Sequence, residues 1–205
     1  MSSNSGNTTA GMTQFAIRPA RPSDEDFIVS ALVMAFSSDP AARWVWPDPS
    51  QYLAHFPGFV RAFGGRAFAH NTAYFAEGLA GGALWLAPGI EPDEEVLVNL
   101  LERTAPAGVR QDVFAVFEQM GRYHPNEPHW YLPLIGVDIP LQGQGLGSAL
   151  LKHALGLCDS DGKAAYLESS SPKNIPLYER HGFDLLGNIQ VGSSPPIFPM
   201  LRKPR

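Results

Sequence analysis

A glycine-rich turn between a predicted strand and a predicted helix carries the strongest chemical signal in this sequence. Residues 129–138 form an apolar run typical of a strand, and residues 148–157 place apolar side chains at helical spacing. Between them, Gly143, Gly145 and Gly147 bring backbone N–H groups and a helix start to one point. The free N–H groups and the helix dipole favour an anion, and glycine lets it approach the main chain. The turn therefore predicts phosphate binding, the alternative being a tight turn without a ligand.

Two common nucleotide-binding loops fit this turn poorly. The P-loop pattern G-x-x-x-x-G-K-S/T is absent from the sequence. A dinucleotide loop G-x-G-x-x-G beginning at Gly143 would need glycine at position 148, where this chain has Ser148. Asp161 and Glu168 stand near the position of the acidic residue that such a loop requires, without matching it well. A dinucleotide-binding oxidoreductase is therefore the less favoured alternative.

Two motifs in this region resemble those of a known superfamily. Gln142-x-x-Gly145-x-Gly147 is similar to the acyl-CoA pyrophosphate loop Q/R-x-x-G-x-G/A of the GNAT N-acetyltransferases, and residues 174–183 resemble their second motif, in which an Asn and a helical Tyr precede Gly-Phe. The two motifs occur in the expected order with a predicted strand between them. A closer likeness to the puromycin N-acetyltransferase type is carried by residues 37–44, 126–137, 142–151, 167–183 and 200–204.

The resemblance implies an α/β (α+β) fold with a mixed, mainly antiparallel sheet of six or seven strands flanked by helices. The central fourth and fifth strands of such a sheet splay apart, and residues 129–138 and 164–169 would be these strands. Acetyl-CoA would lie in the gap, with backbone groups of Val137 and Ile139 on its pantetheine arm. The residues that the resemblance implies as acetyl-CoA contacts are Val137, Ile139, Gln142, Gly143, Gln144, Gly145, Leu146, Gly147, Ser148, Asn174 and Tyr178.

Acetyl transfer from a thioester to an amine requires few protein groups. A tyrosine with a pKa near about 10 stays protonated at neutral pH and can protonate the leaving thiolate, a role that the resemblance gives to Tyr178. A backbone N–H at Val137 can stabilise the developing oxyanion. Tyr178 could instead only pack between helix and sheet. Because no G-x-S-x-G motif is present and Cys158 lies on an apolar helix face, direct transfer in a ternary complex is favoured over an acyl-enzyme.

The general base and the amine pocket are less clearly marked. Five side chains, or a chain of water molecules, are candidates for the base: Glu77, Glu118, Glu127, His124 and Asp39. Trp44, Trp46 and Tyr52 lie in an aromatic segment and are candidates for the wall of an acceptor pocket, the alternative being that they fill the core. The six histidines show no H-E-x-x-H spacing, so no metal is expected.

The rest of the chain reads as one domain over residues 13–205 after a small polar tail, residues 1–12, that we expect to be disordered. The pattern predicts strands at 14–18, 72–76, 82–86, 183–190 and 197–201. It predicts helices at 23–36, 94–102, 109–123 and 174–181, with one or two short helices in 41–65, where prolines divide the aromatic segment.

Composition sets the remaining expectations. The chain of 205 residues has a net charge of −5, which predicts no nucleic-acid partner, and it contains no apolar run long enough to cross a membrane. The missing signal sequence and the single cysteine favour the cytoplasm. We therefore expect an acetyl-CoA-dependent N-acetyltransferase for a small amine, with an antibiotic or aminonucleoside-like acceptor as one candidate. The alternative is a non-catalytic acyl-CoA sensor or scaffold. Pro195-Pro196 and the last strand are candidates for a homodimer interface.

Overall fold

A computed structural model describes residues 16–76 and 81–205. Its strands form one sheet: β1 (Ile17–Pro19), β2 (Ala73–Ala76), β3 (Gly81–Leu86), β4 (Trp130–Val137), β5 (Ala165–Ser169), β6 (Asp184–Leu185) and β7 (Phe198–Arg202). Its helices are α1 (Glu25–Ala35), α2 (Pro40–Val45), α3 (Pro49–Gly64), α4 (Arg66–Ala69), α5 (Glu94–Thr104), α6 (Arg110–Tyr123), α7 (Leu146–Ser160) and α8 (Ile175–Arg180).

The described strands follow the order β1-β2-β3-β4-β5-β7-β6. The β4–β5 pair is parallel, and the other pairs are antiparallel. This mixed, mainly antiparallel sheet of seven strands confirms the predicted fold class.

Helices cover both faces of the sheet, and β3 shows how the sequence allows this. Every residue of β3 is buried, because successive strand residues point to opposite faces and both faces are covered. Leu84 and Leu86 belong to a cluster with side chains of α1 and α3, whereas Ala83 and Trp85 pack with side chains of α7. The two cores are thus separated by the sheet.

The two central strands part halfway along β4. Parallel pairing with β5 runs only from Trp130 to Leu132, opposite Ala165 to Leu167, although β4 continues to Val137. Pro133, the next residue, has no N–H to donate to a neighbouring strand. On its other side β4 has one extra residue against β3 between the pairs Leu84–Leu134 and Leu86–Tyr131, a bulge of the kind that bends a strand. The predicted splay between the fourth and fifth strands is therefore present.

Two predicted element boundaries were wrong. Helix α3 continues through Pro57, which was expected to divide this segment. Its apolar face, which includes Tyr52, Phe56 and Val60, is buried in the core. This packing outweighs the backbone hydrogen bond that is lost at Pro57. The strand expected over 183–190 is reduced to β6 and one isolated bridge between Ile189 and Ile197.

Other predictions lie outside the described residues. The tail at residues 1–12 and the β2–β3 connection, residues 77–80, which contains Glu77, lie wholly outside them, and the strand expected at 14–18 lies partly outside them. No helix within 16–76 or 81–205 is both long and apolar enough to cross a membrane.

Candidate active site

The glycine turn after β4 forms an open cradle at the start of α7. Gly143 and Gly145 have φ angles of 77° and 90°, a conformation that strongly favours glycine. A Cβ atom at either position would meet no other atom within 4 Å, so the cradle is open toward solvent. The side-chain amide of Gln142 donates to the carbonyl oxygen of Val137 across 2.9 Å and ties the cradle to the end of β4.

Helix α7 supplies a second anchor for the cradle, and positively charged side chains of several elements lie nearby. Ser148 Oγ lies 2.8 Å from Nε2 of His181, which follows α8. Burial lowers the pKa of His181, and the positive charges of Lys152, Arg180, Arg202 and Arg205 lower it further. Arg180 also lines the cavity described below. Open N–H groups, a helix start and nearby cations together suit a pyrophosphate.

A cavity of about 520 Å³ begins at this cradle and extends to the other side of the sheet. Leu132 and Leu167, the last pair held by β4 and β5, both line it, so the passage lies where the two strands part. Seven of the residues singled out as acetyl-CoA contacts in and after the turn line this cavity: Gln142, Gly143, Gly145, Leu146, Gly147, Ser148 and Asn174. Val137 and Tyr178 line it as well.

Tyr178 lines the same cavity as the glycine cradle. Helix α8 carries it, and its side chain packs edge-on against Phe183 with 6.1 Å between ring centroids. Burial raises the pKa of Tyr178 above its usual 10.0, and the Asp39 carboxylate contributes to this. Its hydroxyl has no hydrogen-bond partner within 16–76 and 81–205, so it can serve a ligand in the cavity and it keeps its proton at neutral pH.

The far end of the cavity is an aromatic chamber, defined by Phe36, Trp44, Phe56, Phe59, Phe63 and Phe117. The three aromatic residues proposed for the acceptor differ in their placement. Trp44 is half-buried on the chamber wall, where its Nε1 donates to Ser193 Oγ across 3.1 Å. Trp46 also lines the cavity, but it lies within the core and is only 2% exposed. Tyr52 does not reach the chamber, because it is buried and donates its hydroxyl to the Val33 carbonyl across 2.6 Å.

Three other residues lie elsewhere relative to the cavity than the sequence suggested. Ile139 and Gln144 do not line the cavity, and Ile139 is 46% exposed. Pro195, one residue of the pair considered for a dimer interface, lines the cavity instead. Cys158 is fully buried on α7 among apolar side chains, as its core interpretation predicted.

Two carboxylates line the chamber side of the cavity, Asp39 and Glu168. Asp39 is occupied by its own fold: its Oδ1 accepts from the N–H groups of Ala41 and Ala42, each at 3.0 Å, and caps α2. Its Oδ2 accepts a hydrogen bond from Ser170 Oγ. Burial nevertheless raises the pKa of Asp39.

Glu168 was not among the candidate bases, although it is the better placed carboxylate. Its side chain is 4% exposed, and its Oε1 lies 3.1 Å from Nε2 of His124. Glu118 is exposed and paired with Arg122, and Glu127 is exposed, so neither lines the cavity. The sequence offered one clue: Glu168 and Ser170 are two apart on and after β5, so both face the side of the sheet that bears Tyr166. Among the described residues no group of three or more His, Cys, Asp or Glu side chains is arranged to hold a metal.

Solved structures of other proteins share this fold. An acetyltransferase of Corynebacterium glutamicum, described as histone acetyltransferase HPA2 and related acetyltransferase, is 29% identical with a TM-score of 0.69, covering 93% of this chain and 97% of that one. A mosquito arylalkylamine N-acetyltransferase like 5b is 15% identical with a TM-score of 0.63, covering 93% and 100% of the two chains, and this likeness concerns the fold alone.

Comparison with known sequences shows to which family this chain belongs. An uncharacterized N-acetyltransferase of Schizosaccharomyces pombe is 36% identical over 78 residues, which are 37% of this chain and 32% of that protein, so the match spans about a third of the curated relative. The pattern of the acetyltransferase (GNAT) family matches residues 37–183, which include the glycine cradle, both central strands and Tyr178. The chain therefore belongs to the acetyltransferase (GNAT) family.

Proposed function

We propose that this protein is an N-acetyltransferase that moves the acetyl group of acetyl-CoA directly to the amine of a small molecule. One observation carries the proposal. The glycine cradle, Tyr178 and an aromatic chamber on the other side of the sheet all line a single cavity. Such a passage lets a thioester and an amine meet from opposite sides, as transfer without an acyl-enzyme requires.

Acetyl-CoA is the cosubstrate that the family uses, and the cradle fits its pyrophosphate. In our proposal the backbone N–H groups from Gln142 to Ser148 bind the phosphates, with Arg180 adding positive charge. Val137 and Asn174 flank the pantetheine arm from the two sides of the gap. Ile139 and Gln144 are left out of the proposed side-chain contacts, because neither lines the cavity.

The proposed chemistry uses Tyr178 as the acid. The amine nitrogen forms a bond to the acetyl carbon, the carbon–sulfur bond breaks, and the thiolate takes the Tyr178 proton. The proton that the amine nitrogen loses returns to Tyr178. Burial keeps this proton on Tyr178 by raising its pKa. The backbone N–H of Val137, at the open end of β4, is the proposed donor to the carbonyl oxygen as negative charge develops there.

The aromatic chamber points to the class of amine. Its walls are apolar rings, and two carboxylates, Asp39 and Glu168, line the same cavity. We propose an acceptor with a planar or apolar body and one primary amine. The likeness to the puromycin N-acetyltransferase type makes antibiotic and aminonucleoside-like amines the first ones to test.

Binding and turnover test the proposal separately. Melting with acetyl-CoA, CoA or NAD at equal concentrations should show stabilisation by the two CoA ligands only, about 2.7 kcal/mol at a hundredfold excess over Kd. Thiol release should then be measured with arylalkylamines, aminonucleosides and polyamines. Release with the apolar amines supports the proposal. Stabilisation by CoA without release from any amine favours a sensor or scaffold, and stabilisation by NAD alone rejects the CoA site.

A further inference from the structure

A second cavity, of about 310 Å³, opens near the start of the central strand β4. It is lined by the segments 88–91 and 124–129 and by Tyr131. Two histidines, His124 and His129, and two glutamates, Glu91 and Glu127, line it. This cavity shares no lining residue with the one that holds the glycine cradle and the aromatic chamber.

One contact connects the two cavities. Glu168 lines the first cavity and His124 lines the second, and Oε1 of Glu168 lies 3.1 Å from Nε2 of His124. The Glu168 side chain is 4% exposed and that of His124 is 24% exposed. The carboxylate is thus nearly closed off from water outside the cavity, whereas the imidazole has access to it.

Other rings pack around the His124 imidazole. No lysine or arginine of the described residues contacts it. Its ring centroid lies 4.6 Å from that of Tyr131 on β4, 4.4 Å from that of Tyr166 on β5 and 5.4 Å from that of His129. Burial raises the pKa of both tyrosines, and the Glu168 carboxylate raises it further. The groups facing His124 are therefore one carboxylate, two neutral phenols and one imidazole, with Glu91 and Glu127 on the cavity wall.

Resting on the function proposed above, we infer that Glu168 is the catalytic base and that His124 carries its proton out through the second cavity. An amine that arrives as an ammonium must lose one proton in addition to the one that replaces the Tyr178 proton. Glu168 takes this proton and passes it to the unprotonated Nε2 of His124, and Nδ1 of the same imidazole releases its proton to water in the second cavity. Proton exchange with water in that cavity restores the first tautomer before the next turnover. Over one turnover one ammonium and one thioester give one amide, one thiol and one proton.

This path separates proton release from the entrance of the substrates. The aromatic chamber is filled by the acceptor during reaction, so water reaches a base there poorly. A carboxylate without an outlet would remain protonated after one turnover, and a histidine in contact with water supplies the outlet. His124 also holds the carboxylate in place, which makes it a positioning residue as well as the outlet.

The test compares pH profiles of kcat/KM for the wild type and three variants: Glu168→Gln, His124→Gln and His129→Gln. Glutamine at position 124 can still donate to Glu168 but cannot titrate. His129 is the matched control, because it lines the same cavity but its Nδ1 contacts the Glu127 carbonyl at 2.9 Å instead of Glu168.

We expect kcat/KM at pH 7 to fall on the order of a hundredfold in Glu168→Gln and His124→Gln. These losses should shrink as pH rises, because more amine then arrives without its extra proton, and His129→Gln should follow the wild type.

Three results overturn the relay while the proposed function stands. The first is a loss of kcat/KM that is equal at every pH. The second is an unchanged kcat/KM in Glu168→Gln and His124→Gln. The third is a loss in His129→Gln that matches the loss in His124→Gln. Thermal stabilisation by acetyl-CoA provides the readout besides activity and should be unchanged in all three variants. A wild-type protein that binds acetyl-CoA but acetylates none of the amines overturns the proposed function, and the relay with it.

Discussion

The side-chain amide of Gln142 reaches back 2.9 Å to the carbonyl oxygen of Val137, so the first residue of the glycine cradle is bonded to the last residue of β4. This bond spans the point at which the strand leaves the sheet. It fixes the direction in which the following N–H groups point. The glutamine of this motif therefore shapes the cradle through its side chain.

Replacing Gln142 by alanine should weaken acetyl-CoA binding without unfolding the protein. A hydrogen bond of this kind contributes about 0.5–1.5 kcal/mol, which corresponds to roughly a two- to tenfold rise in Kd. Calorimetric titration with CoA measures this directly. Gln144→Ala is the matched control, because Gln144 is exposed and does not line the cavity. Equal effects of the two variants would show that the bond to Val137 is unimportant.

Two glycines of one helix region should respond to alanine in opposite ways. Gly145 has a φ of 90° at the start of α7, so Gly145→Ala should cost about 1–2 kcal/mol of the free energy of unfolding and weaken CoA binding. Gly156 lies within α7, where an added methyl group would meet no atom within 4 Å, so Gly156→Ala should stabilise by up to about 1 kcal/mol. Denaturant unfolding checks both. Stabilisation by Gly145→Ala would contradict the described turn.

Trp44 and Trp46 should separate acceptor binding from stability. Trp44→Ala removes a half-buried wall of the aromatic chamber, so the KM for the amine should rise while the Kd for CoA is unchanged. Trp46→Ala removes a ring that is 2% exposed and bonded through Nε1 to Thr104, so the free energy of unfolding should fall by about 3–5 kcal/mol. Steady-state kinetics and urea unfolding measure the two effects. An unchanged amine KM in Trp44→Ala would remove Trp44 from the acceptor site.

Cys158 should not react with thiol reagents in the folded protein. Burial raises the pKa of its thiol to about 12 from an ordinary 9.0, so almost no thiolate forms at pH 8. Because the folded state holds this proton more tightly than the unfolded chain, its contribution to stability is complete below pH 9.0 and is lost as pH rises toward 12. Titration with a disulfide reagent at pH 8 should detect no thiol before denaturant is added. Rapid labelling of the native protein would contradict this burial.

The sequence was informative where local patterns suffice. The glycine cradle could be predicted because a turn with φ angles of 77° and 90° strongly favours the glycines that the sequence supplies. Strand β4 could be predicted from its continuous apolar run, and α7 could be predicted because its apolar residues recur at helical spacing.

The remaining features depend on which elements pack together. Glu168 and His124 are 44 residues apart, and only the packing of the α6 end against β5 brings them into contact. Trp44 and Tyr52 are both aromatic residues in one segment, yet one lines the chamber and the other donates to the Val33 carbonyl. Pro57 was interpreted from its local preference, which the buried face of α3 outweighs. Composition and spacing contain no information about these tertiary contacts.

The measurement that tests the central claim most directly is kcat and the CoA Kd of Tyr178→Phe, with Tyr74→Phe as control. Tyr74 is buried in the same cluster as Tyr178 but does not line the cavity. Loss of the Tyr178 hydroxyl should lower kcat by about 10²–10⁴-fold and leave the CoA Kd unchanged, while Tyr74→Phe keeps normal turnover. A Tyr178→Phe variant with the kcat of the wild type would contradict the role of Tyr178 as the acid and the direct-transfer account built on it.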